Sequence, residues 1–297
     1  MLQTNKIKMK NLAAIVLIVL FFTNCKTQQV TVKNSKTKVF LLAGQSNMDG
    51  RAKASGLSKI DRQRLKKSQK NVTLYYNFGE GKPLDTTRVA NHTAKKFGAE
   101  YLFGPELFFG IKMSEKYPNH KIVLIKRARG GMSLYGAWNP DWTLEKATLI
   151  KEDKQPKLYS EFVEYSKNVL SKLTNYEILG MLWVQGESDS GKKGGTKPRE
   201  SYEYNLKNLI QNVRKDFNKP ELPFLMFQVG TGKVVKAMKK TAKEDKNVVL
   251  IPQENNKNSK YYFERNPPPI GHYITNSMKK IGEYFFDYYL NNFTKNE

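Results

Sequence analysis

The chain has 297 residues, of which 39% are hydrophobic and 12% aromatic, enough for the core of one large α/β domain or two small ones. Its single cysteine excludes an intrachain disulfide, so stability must come from the core. The formal net charge of +24 favours an acidic polymer, an anionic lipid or a nucleic acid as partner. The lysines are scattered rather than gathered with aromatic residues into one groove, which argues against nucleic acid. A solvated lysine-rich surface is the plain alternative to an anionic partner.

The first 25 residues have the pattern of a targeting segment. A lysine-rich start precedes a continuous apolar run at 12–22, which fits the hydrophobic region of a signal peptide and is too short to span a bilayer comfortably. Cys25 follows this run and resembles the lipidated cysteine of a bacterial lipoprotein, although Asn24 is larger than the small residue usual before it. The sequence predicts export as a periplasmic or cell-surface lipoprotein anchored to the membrane at Cys25, or secretion if Cys25 is not lipidated. Export also argues against a nucleic acid partner.

Beyond a polar tether at 26–35, apolar segments of strand length alternate with amphipathic segments of helix length. The predicted strands are 38–44, 72–76, 121–126, 177–184, 223–228 and 248–251. The predicted helices are 103–117, 156–174, 198–217, 231–244 and 273–290, with another short helix within 51–70. The stretch 77–101 has little periodicity and is predicted to be a long surface loop over the site. The alternation predicts one α/β domain at 36–294, with a parallel sheet covered by helices on both faces.

Three of the predicted strands end in polar loops that contain glycine. These loops are Gly44-Gln45-Ser46-Asn47, Gly130-Gly131-Met132-Ser133 and Gln185-Gly186-Glu187-Ser188-Asp189. Because ligands bind at the carboxyl ends of the strands in an open α/β sheet, these loops are expected to converge into a site. Ser46 is the candidate nucleophile, although a lone serine after a strand is more often a helix N-cap. The turn is not Gly-x-Ser-x-Gly, since Met48 stands two residues after the serine.

The chain has three histidines, which limits the candidates for a general base. His120 comes just before a predicted strand and is expected in a surface turn. His92 lies in the long loop, where the sequence does not distinguish a functional from a structural role. His272 follows three consecutive prolines, which restrain the backbone, and it directly precedes the last predicted helix. We therefore expect His272 to reach the same edge of the sheet as Ser46 and to serve as its base.

Five motifs, in this order, resemble the sialate O-acetylesterase and carbohydrate esterase family 6 branch of the SGNH hydrolases. They are Gly44-Gln45-Ser46-Asn47-Met48, Phe103-Gly104-Pro105-Glu106, Arg129-Gly130-Gly131-Met132-Ser133, Trp183-Val184-Gln185-Gly186-Glu187-Ser188-Asp189 and Gly271-His272-Tyr273. The resemblance covers nearly the whole chain after the tether. It implies a flavodoxin-like three-layer α/β/α sandwich with a central parallel sheet, and an enzyme that removes O-acetyl groups from carbohydrates without a metal or cofactor.

The resemblance also implies which residues carry the reaction. Ser46 would attack the acetyl carbonyl, and His272 would take its proton and later give it to the sugar alcohol. The backbone N–H groups of Ser46 and Gly131 and the side-chain amide of Gln185 would form the oxyanion hole.

The acid partner of His272 is the one departure from the family pattern. The aspartate that usually stands three residues before the histidine is replaced by Pro269. Members of this branch can use the glutamate of the Gln-Gly-Glu motif, so Glu187 is expected to complete the triad. A Ser–His dyad and Glu264 are the alternatives, and Asp189 is expected to brace its loop instead.

The sequence thus predicts an exported serine esterase that deacetylates a glycan, with acetylated xylan, sialic acid and an anionic polysaccharide as possible substrates. A non-catalytic, surface-anchored carbohydrate-binding protein on the same scaffold is the alternative, because the usual aspartate is missing. A peptidoglycan or lipid esterase would share the chemistry. Asn47, Ser133 and Trp138 are candidate substrate contacts. Tyr135, Trp138 and Trp142 follow the glycine pair and could stack on sugar rings or belong to the core.

Overall fold

The computed structural model describes residues 36–294, so the predicted signal peptide, Cys25 and the tether lie outside the described residues. The strands within this range are β1 (Thr37–Gly44), β2 (Ala52–Lys53), β3 (Val72–Tyr76), β4 (Lys82–Pro83), β5 (Thr87–Arg88), β6 (Tyr101–Phe103), β7 (Ile122–Ala128), β8 (Tyr176–Val184), β9 (Phe224–Phe227) and β10 (Val248–Ile251). The helices are α1 (Ser46–Asp49), α2 (Lys59–Ser68), α3 (Asn91–Phe97), α4 (Glu106–Lys116), α5 (Leu144–Leu149), α6 (Leu158–Ser171), α7 (Glu187–Ser190), α8 (Lys197–Glu200), α9 (Tyr202–Asp216), α10 (Gly232–Glu244) and α11 (Thr275–Phe293). None of the helices at 36–294 is both long and apolar enough to cross a membrane.

Strand β1 lies in the middle of the main sheet. The strand order is β10-β9-β8-β1-β7-β3-β4, and β1 pairs in parallel with both β7 and β8. Its residues from Val39 to Ala43 are all 0% exposed, as a continuous apolar strand requires when both faces of a parallel sheet are covered. The edge strand β4 is antiparallel to β3. The central position of β1 places the residues after Gly44 at the middle of the carboxyl edge.

Helices cover both faces of this sheet. The first layer contains α2, α4 and α11, and the second contains α6, α9 and α10. Phe40 of β1 packs edge-on against Phe109 of α4 and Tyr289 of α11, with ring centroids 4.8 and 4.9 Å apart. The predicted three-layer α/β/α arrangement with a parallel sheet is confirmed.

The segment 77–101 differs from its prediction as a long loop. It contains β4, β5 and α3, and β5 pairs with β6, which in turn pairs with β2 in a small second sheet. Two-residue strands are too short to show an alternating pattern. Helix α3 buries only Phe97, so it lacks the apolar stripe by which an amphipathic helix is recognised.

Candidate active site

The three strand-end loops converge, as their positions in the sequence predicted. Gln45 connects the first loop to the third, because its side-chain oxygen accepts a hydrogen bond from Ser188 N at 3.2 Å. Arg129 N, just before the second loop, donates to Gly44 O at 3.2 Å. The second and third loops meet where Gln185 Nε2 donates to Met132 O at 3.2 Å. These bonds fix the relative positions of the loops around the end of β1.

Ser46 lies at the first position of α1, directly after the end of β1. The chain turns at Gly44, which has a φ of +153° and where an added β-carbon would lie 2.2 Å from Val184 O. Only glycine fits there, so the strand ends abruptly and Ser46 follows on the turn. Ser46 is partly exposed, while Gln45 and Asn47 on either side are buried. Ser46 is therefore more accessible than the residues on either side of it.

A fully buried ion pair supports the turn from below. Lys126 Nζ lies 2.9 Å from Glu106 Oε2, and both side chains are 0% exposed. The same ammonium donates to Asp49 O, the last carbonyl of α1, at 3.0 Å. The Asp49 carboxylate accepts hydrogen bonds from Tyr76 and Arg51. Helix α1 is thus held at its C-terminal end by three side chains, and Glu106 in turn holds one of them, Lys126.

His272 is held by the loop that precedes α11. Asn266 donates to His272 O through its backbone N at 2.8 Å and through Nδ2 at 3.0 Å. The ring Nδ1 lies 2.5 Å from Ile270 O. Since a carbonyl oxygen only accepts, Nδ1 carries the proton, and Nε2 of the neutral ring is left as the basic nitrogen. The ring also packs edge-on against Phe97 of α3, with centroids 5.4 Å apart.

The surroundings of His272 favour its neutral form. Burial lowers the pKa of this imidazole, and the cations of Arg51, Lys96 and Arg265 lower it further, while the contact with Ile270 O opposes them. The pKa therefore lies below its usual range near 6.5. The neutral ring is the form that can accept a proton, so His272 is suited to act as a base at neutral pH.

Glu187 makes contacts other than the one predicted for it. Its Oε1 accepts a hydrogen bond from Asn47 Nδ2 at 2.7 Å and lies 3.8 Å from Arg265 Nη1. Burial raises the pKa of this carboxyl, and Arg265 and Asn47 oppose that shift. Over the range 36–294, no hydrogen bond joins His272 to Glu187 or to the exposed Glu264. The Ser46–His272–Glu187 triad stays a prediction, as does the alternative of a Ser46–His272 dyad.

Ser46 and Gly131, two of the three expected oxyanion donors, lie at the turn after β1 and in the second loop, and their role stays a prediction. The N–H of Ser46 is in the first turn of α1, where backbone donors have no acceptor within a helix. Gly130 lies beside the nucleophile, since a β-carbon built on it would be 3.4 Å from Ser46 Cβ. The next residue, Gly131, has a φ of +77° and is exposed, with no atom within 4 Å of a built β-carbon. The space beside Gly131 is therefore open to a ligand.

The amide of Gln185, the third expected donor, is fully buried and already engaged. Its Nε2 donates to Met132 O and to Asp189 Oδ2, the latter at 2.5 Å. Its Oε1 accepts from the Tyr202 hydroxyl at 3.1 Å. In this arrangement the amide connects loops, and its donation to an oxyanion stays a prediction.

Two buried carboxyl groups hold the loop that carries Gly131. Asp189 accepts hydrogen bonds from Leu134 N at 2.8 Å and Tyr135 N at 2.9 Å. Glu152 accepts from Ser133 N and Ala137 N, each at 2.9 Å. Burial raises the pKa of Asp189 to about 6 and that of Glu152 to about 7. The predicted bracing role of Asp189 is confirmed, whereas Glu152 stands outside every motif and was missed.

The structure corrects two of the expected substrate contacts. Trp138 is 0% exposed and packs against Trp183, with ring centroids 5.3 Å apart. Ser133 is 2% exposed, and its hydroxyl donates to Glu152. Both side chains are interior, so neither offers surface to a sugar. Asn47 is also buried, but its Oδ1 has no hydrogen-bond partner.

The remaining predicted residues lie at the periphery. Tyr135 and Trp142 are half-buried, and Lys157 Nζ lies 4.1 Å from the Trp142 ring centroid. His92 is exposed on α3, and His120 packs against Tyr117 at 5.7 Å. No group of three or more His, Cys, Asp or Glu residues that could hold a metal ion occurs in the part of the chain that the structure describes.

The chain is similar to known carbohydrate esterases. A probable carbohydrate esterase of Arabidopsis thaliana is 36% identical over 86 residues, which is 29% of this chain and 31% of the relative. The crystal structure of an Arabidopsis thaliana protein has a TM-score of 0.62 at 21% identity, over 87% of this chain and 100% of that chain. A carbohydrate acetylesterase from Xanthomonas citri has a TM-score of 0.56 at 16% identity, over 86% of this chain and 56% of that chain. At these identities, the comparisons show that this chain shares its fold with the two solved structures.

The family model described as "Carbohydrate esterase, sialic acid-specific acetylesterase" matches residues 36–291. This range includes all the loops described above, from β1 and Ser46 to His272 and most of α11. The chain therefore belongs to this family of carbohydrate esterases.

Proposed function

We propose that the protein is a serine esterase that removes acetyl groups from a carbohydrate through Ser46 and His272. The observation that carries the proposal is the His272 ring, whose Nδ1 contacts Ile270 O at 2.5 Å and whose Nε2 is thereby left basic. The accessible Ser46 at the head of α1, with Gly130 beside it, supports the same assignment. Membership of the carbohydrate esterase family supports the substrate class.

In the proposed reaction, Ser46 Oγ attacks the acetyl carbon while His272 Nε2 takes the hydroxyl proton. The N–H groups of Ser46 and Gly131 stabilise the negative charge on the acetyl oxygen in the tetrahedral intermediate. When the intermediate collapses, the bond to the sugar oxygen breaks and His272 gives its proton to that oxygen. Water then attacks the acetyl-enzyme in the same way and releases acetate and Ser46. The Ile270 carbonyl keeps the ring in the tautomer that this sequence of steps requires.

Glu187→Gln tests whether a carboxylate orients His272. Since Glu187 Oε1 bonds to Asn47 and not to His272, and glutamine keeps an oxygen for that bond, we expect kcat on 4-nitrophenyl acetate to stay within about ten-fold of wild type. A triad whose acid is replaced by its amide loses about 10⁴ in kcat. A loss of that size in steady-state kinetics would support the Ser46–His272–Glu187 triad and refute the dyad.

The cations around His272 support an anionic sugar as substrate. Arg51, Lys96 and Arg265 all lower the pKa of the histidine proposed to protonate the leaving sugar, so cationic side chains lie near the released alcohol. The net charge of +24 adds a longer-range attraction for acidic carbohydrates. Among acetylated sugars, the proposal therefore prefers those that carry a carboxylate, such as acetylated sialic acids or acidic polysaccharides, over neutral ones.

Acetate release across a panel of acetylated carbohydrates tests this function. At low salt we expect anionic members, such as O-acetylated sialic acid, to react faster than neutral acetylated xylan, and 0.5 M salt to reduce the difference through screening. A serine-reactive phosphonate should label the protein at Ser46, as located by peptide mapping. Equal rates on both classes at low salt would refute the anionic preference, and absence of labelling with no acetate release would refute the esterase.

We further propose that the enzyme is exported and anchored by a lipid on Cys25, with secretion as the outcome if Cys25 is not lipidated. The charged start and the apolar run at 12–22 support this. Incorporation of radiolabelled palmitate in a bacterial host, lost in Cys25→Ala, is the expected result. Recovery of the full-length chain in the cytosol would refute export.

A further inference from the structure

Phe78 is an exposed aromatic residue whose backbone has an unusual conformation. It follows β3, and together with Asn77 it has a left-handed conformation, with φ of 47° for Asn77 and 66° for Phe78. Two consecutive non-glycine residues in this region cost free energy and persist only where the surroundings impose them. The Asn77 side-chain oxygen accepts from Ala128 N and from Arg127 Nη1, both at 3.1 Å. The backbone at Asn77 and Phe78 is therefore fixed to the end of β7.

The ring of Phe78 packs against two side chains and is otherwise exposed. Arg127 Cζ lies 5.2 Å from its centroid, and the ring of Tyr165 lies 5.1 Å away. Both supporting residues are buried, at 6% and 5% exposure, while Phe78 is 54% exposed. Arg127 is itself held by Glu161 at 2.6 Å. The exposed part of the ring is the part turned away from these groups, so the protein presents a rigid apolar surface that loses little entropy on binding.

This surface is on the same edge of the sheet as the nucleophile. Strand β7 separates β3 from β1, so Phe78 lies roughly two strand spacings, ~10 Å, along the edge from the end of β1. The residues after β7 lie between Phe78 and Ser46. Gly130 is beside Ser46. The exposed Arg129 precedes Gly130, and its Nε donates a hydrogen bond to Gln155 at 3.2 Å. A single sugar bound at Ser46 does not extend over this interval, whereas a chain of sugars does.

We propose that Phe78 is the stacking platform of a remote subsite, which binds a pyranose ring of a glycan chain while Ser46 acts on an acetyl group further along. The C–H face of the pyranose covers the exposed ring and displaces water from both apolar surfaces. Arg129, between the two sites, binds hydroxyl or carboxylate oxygens of the intervening sugars. The proposal rests on the proposed esterase function and names an oligomeric or polymeric carbohydrate as its substrate.

Phe78→Asn is the variant that tests the platform. Asparagine tolerates the left-handed conformation, so the change removes the ring and retains the backbone conformation. We expect the KM for chemically acetylated xylohexaose to rise about ten-fold, as for the loss of one aromatic contact, with kcat nearly unchanged. The kinetics on 4-nitrophenyl acetate, which does not reach Phe78, should equal those of wild type. Phe78→Tyr keeps the ring and should restore the KM.

Tyr176→Ala is the matched control. Tyr176 is also an exposed aromatic residue, but it begins β8 and so lies at the opposite edge of the sheet. Its removal should leave both substrates unaffected. An unchanged hexaose KM in Phe78→Asn would overturn the proposal. A parallel loss on 4-nitrophenyl acetate would also overturn it, because it would show a structural role for the ring.

Direct binding separates this proposal from the esterase assignment. In the inactive Ser46→Ala background, calorimetry should give a Kd for acetylated xylohexaose that Phe78→Asn weakens by the same factor. If the wild-type protein hydrolyses no acetyl ester, the proposed function fails, yet this binding comparison still decides the platform. Failure of the protein with intact Phe78 to bind the hexaose, or equal binding by both proteins, would overturn it.

Discussion

Replacing either Ser46 or His272 with alanine is expected to lower kcat for acetyl esters by about 10⁶. The serine and its base act as one unit, so removing one costs about as much as removing both. The Ser46→Ala/His272→Ala double variant should therefore be no slower than either single variant. The residual rate would come from the backbone donors at Ser46 and Gly131 and from substrate binding. The measurement is acetate release over hours at high enzyme concentration.

Two nearby substitutions serve as controls for that experiment. Ser188→Ala removes a hydroxyl from a neighbouring loop, and His92→Ala removes an exposed histidine of α3; both should retain wild-type kcat. Circular dichroism should show that all variants are folded. A His272→Ala enzyme with more than a few per cent of wild-type activity would contradict the proposed base.

Lys126→Met is expected to destabilise the fold by about 3–5 kcal/mol, the range for a buried ion pair that loses one partner. The substitution leaves the carboxyl of Glu106 fully buried beside an apolar side chain, without the ammonium now 2.9 Å away. It also removes the hydrogen bond to Asp49 O that holds α1. We expect kcat to fall as well, since a displaced Ser46 is no longer aligned with His272. Urea unfolding measures the free energy, and 4-nitrophenyl acetate hydrolysis measures the activity.

The double variant Lys126→Met/Glu106→Gln isolates the cost of the unpaired carboxyl. Glutamine carries no charge and keeps an oxygen for the hydrogen bond from Gly104 N, now 3.0 Å from Glu106 Oε1. We expect the double variant to be more stable than Lys126→Met alone, while its activity stays low because the bond to Asp49 is still absent. A Lys126→Met protein within 1 kcal/mol of wild type and fully active would contradict both roles of the lysine.

The sequence was most informative where the structure is regular. The apolar runs and the helical spacing predicted the main strands and the long helices, because burial on a parallel sheet imposes an almost continuous apolar pattern. The loops after β1, β7 and β8 could be assigned to one edge because strand direction alone decides that. Ser46 and Gly131 were chosen from these loops, and His272 was chosen because the chain has few histidines; motifs helped in each case, and the roles of the three residues stay predictions.

The contacts between distant segments could not be read from the sequence. Phe97 packs on His272 from a helix with one buried residue, and Glu152 holds the glycine loop from a stretch without a motif. The Lys126–Glu106 pair joins a strand to a helix through charges that would ordinarily be assigned to the surface. Phe78 follows a strand as an ordinary apolar residue, and only its left-handed backbone distinguishes it. Such positions depend on three-dimensional packing, which a one-dimensional pattern does not encode.

The docking of α11 connects the two ends of the chain to the supports of the reaction. Gly282 of α11 lies so close to α4 that a β-carbon built on it would be 2.5 Å from Pro105 O. Helix α4 begins with Glu106, the partner of Lys126, and α11 directly follows the loop with His272. On the proposed assignment, a nascent chain contains its nucleophile from the first strand onward but gains its base only when the last helix packs against α4. The proposed ester hydrolysis then requires the complete fold, and a partly synthesised or partly folded chain is expected to be inactive.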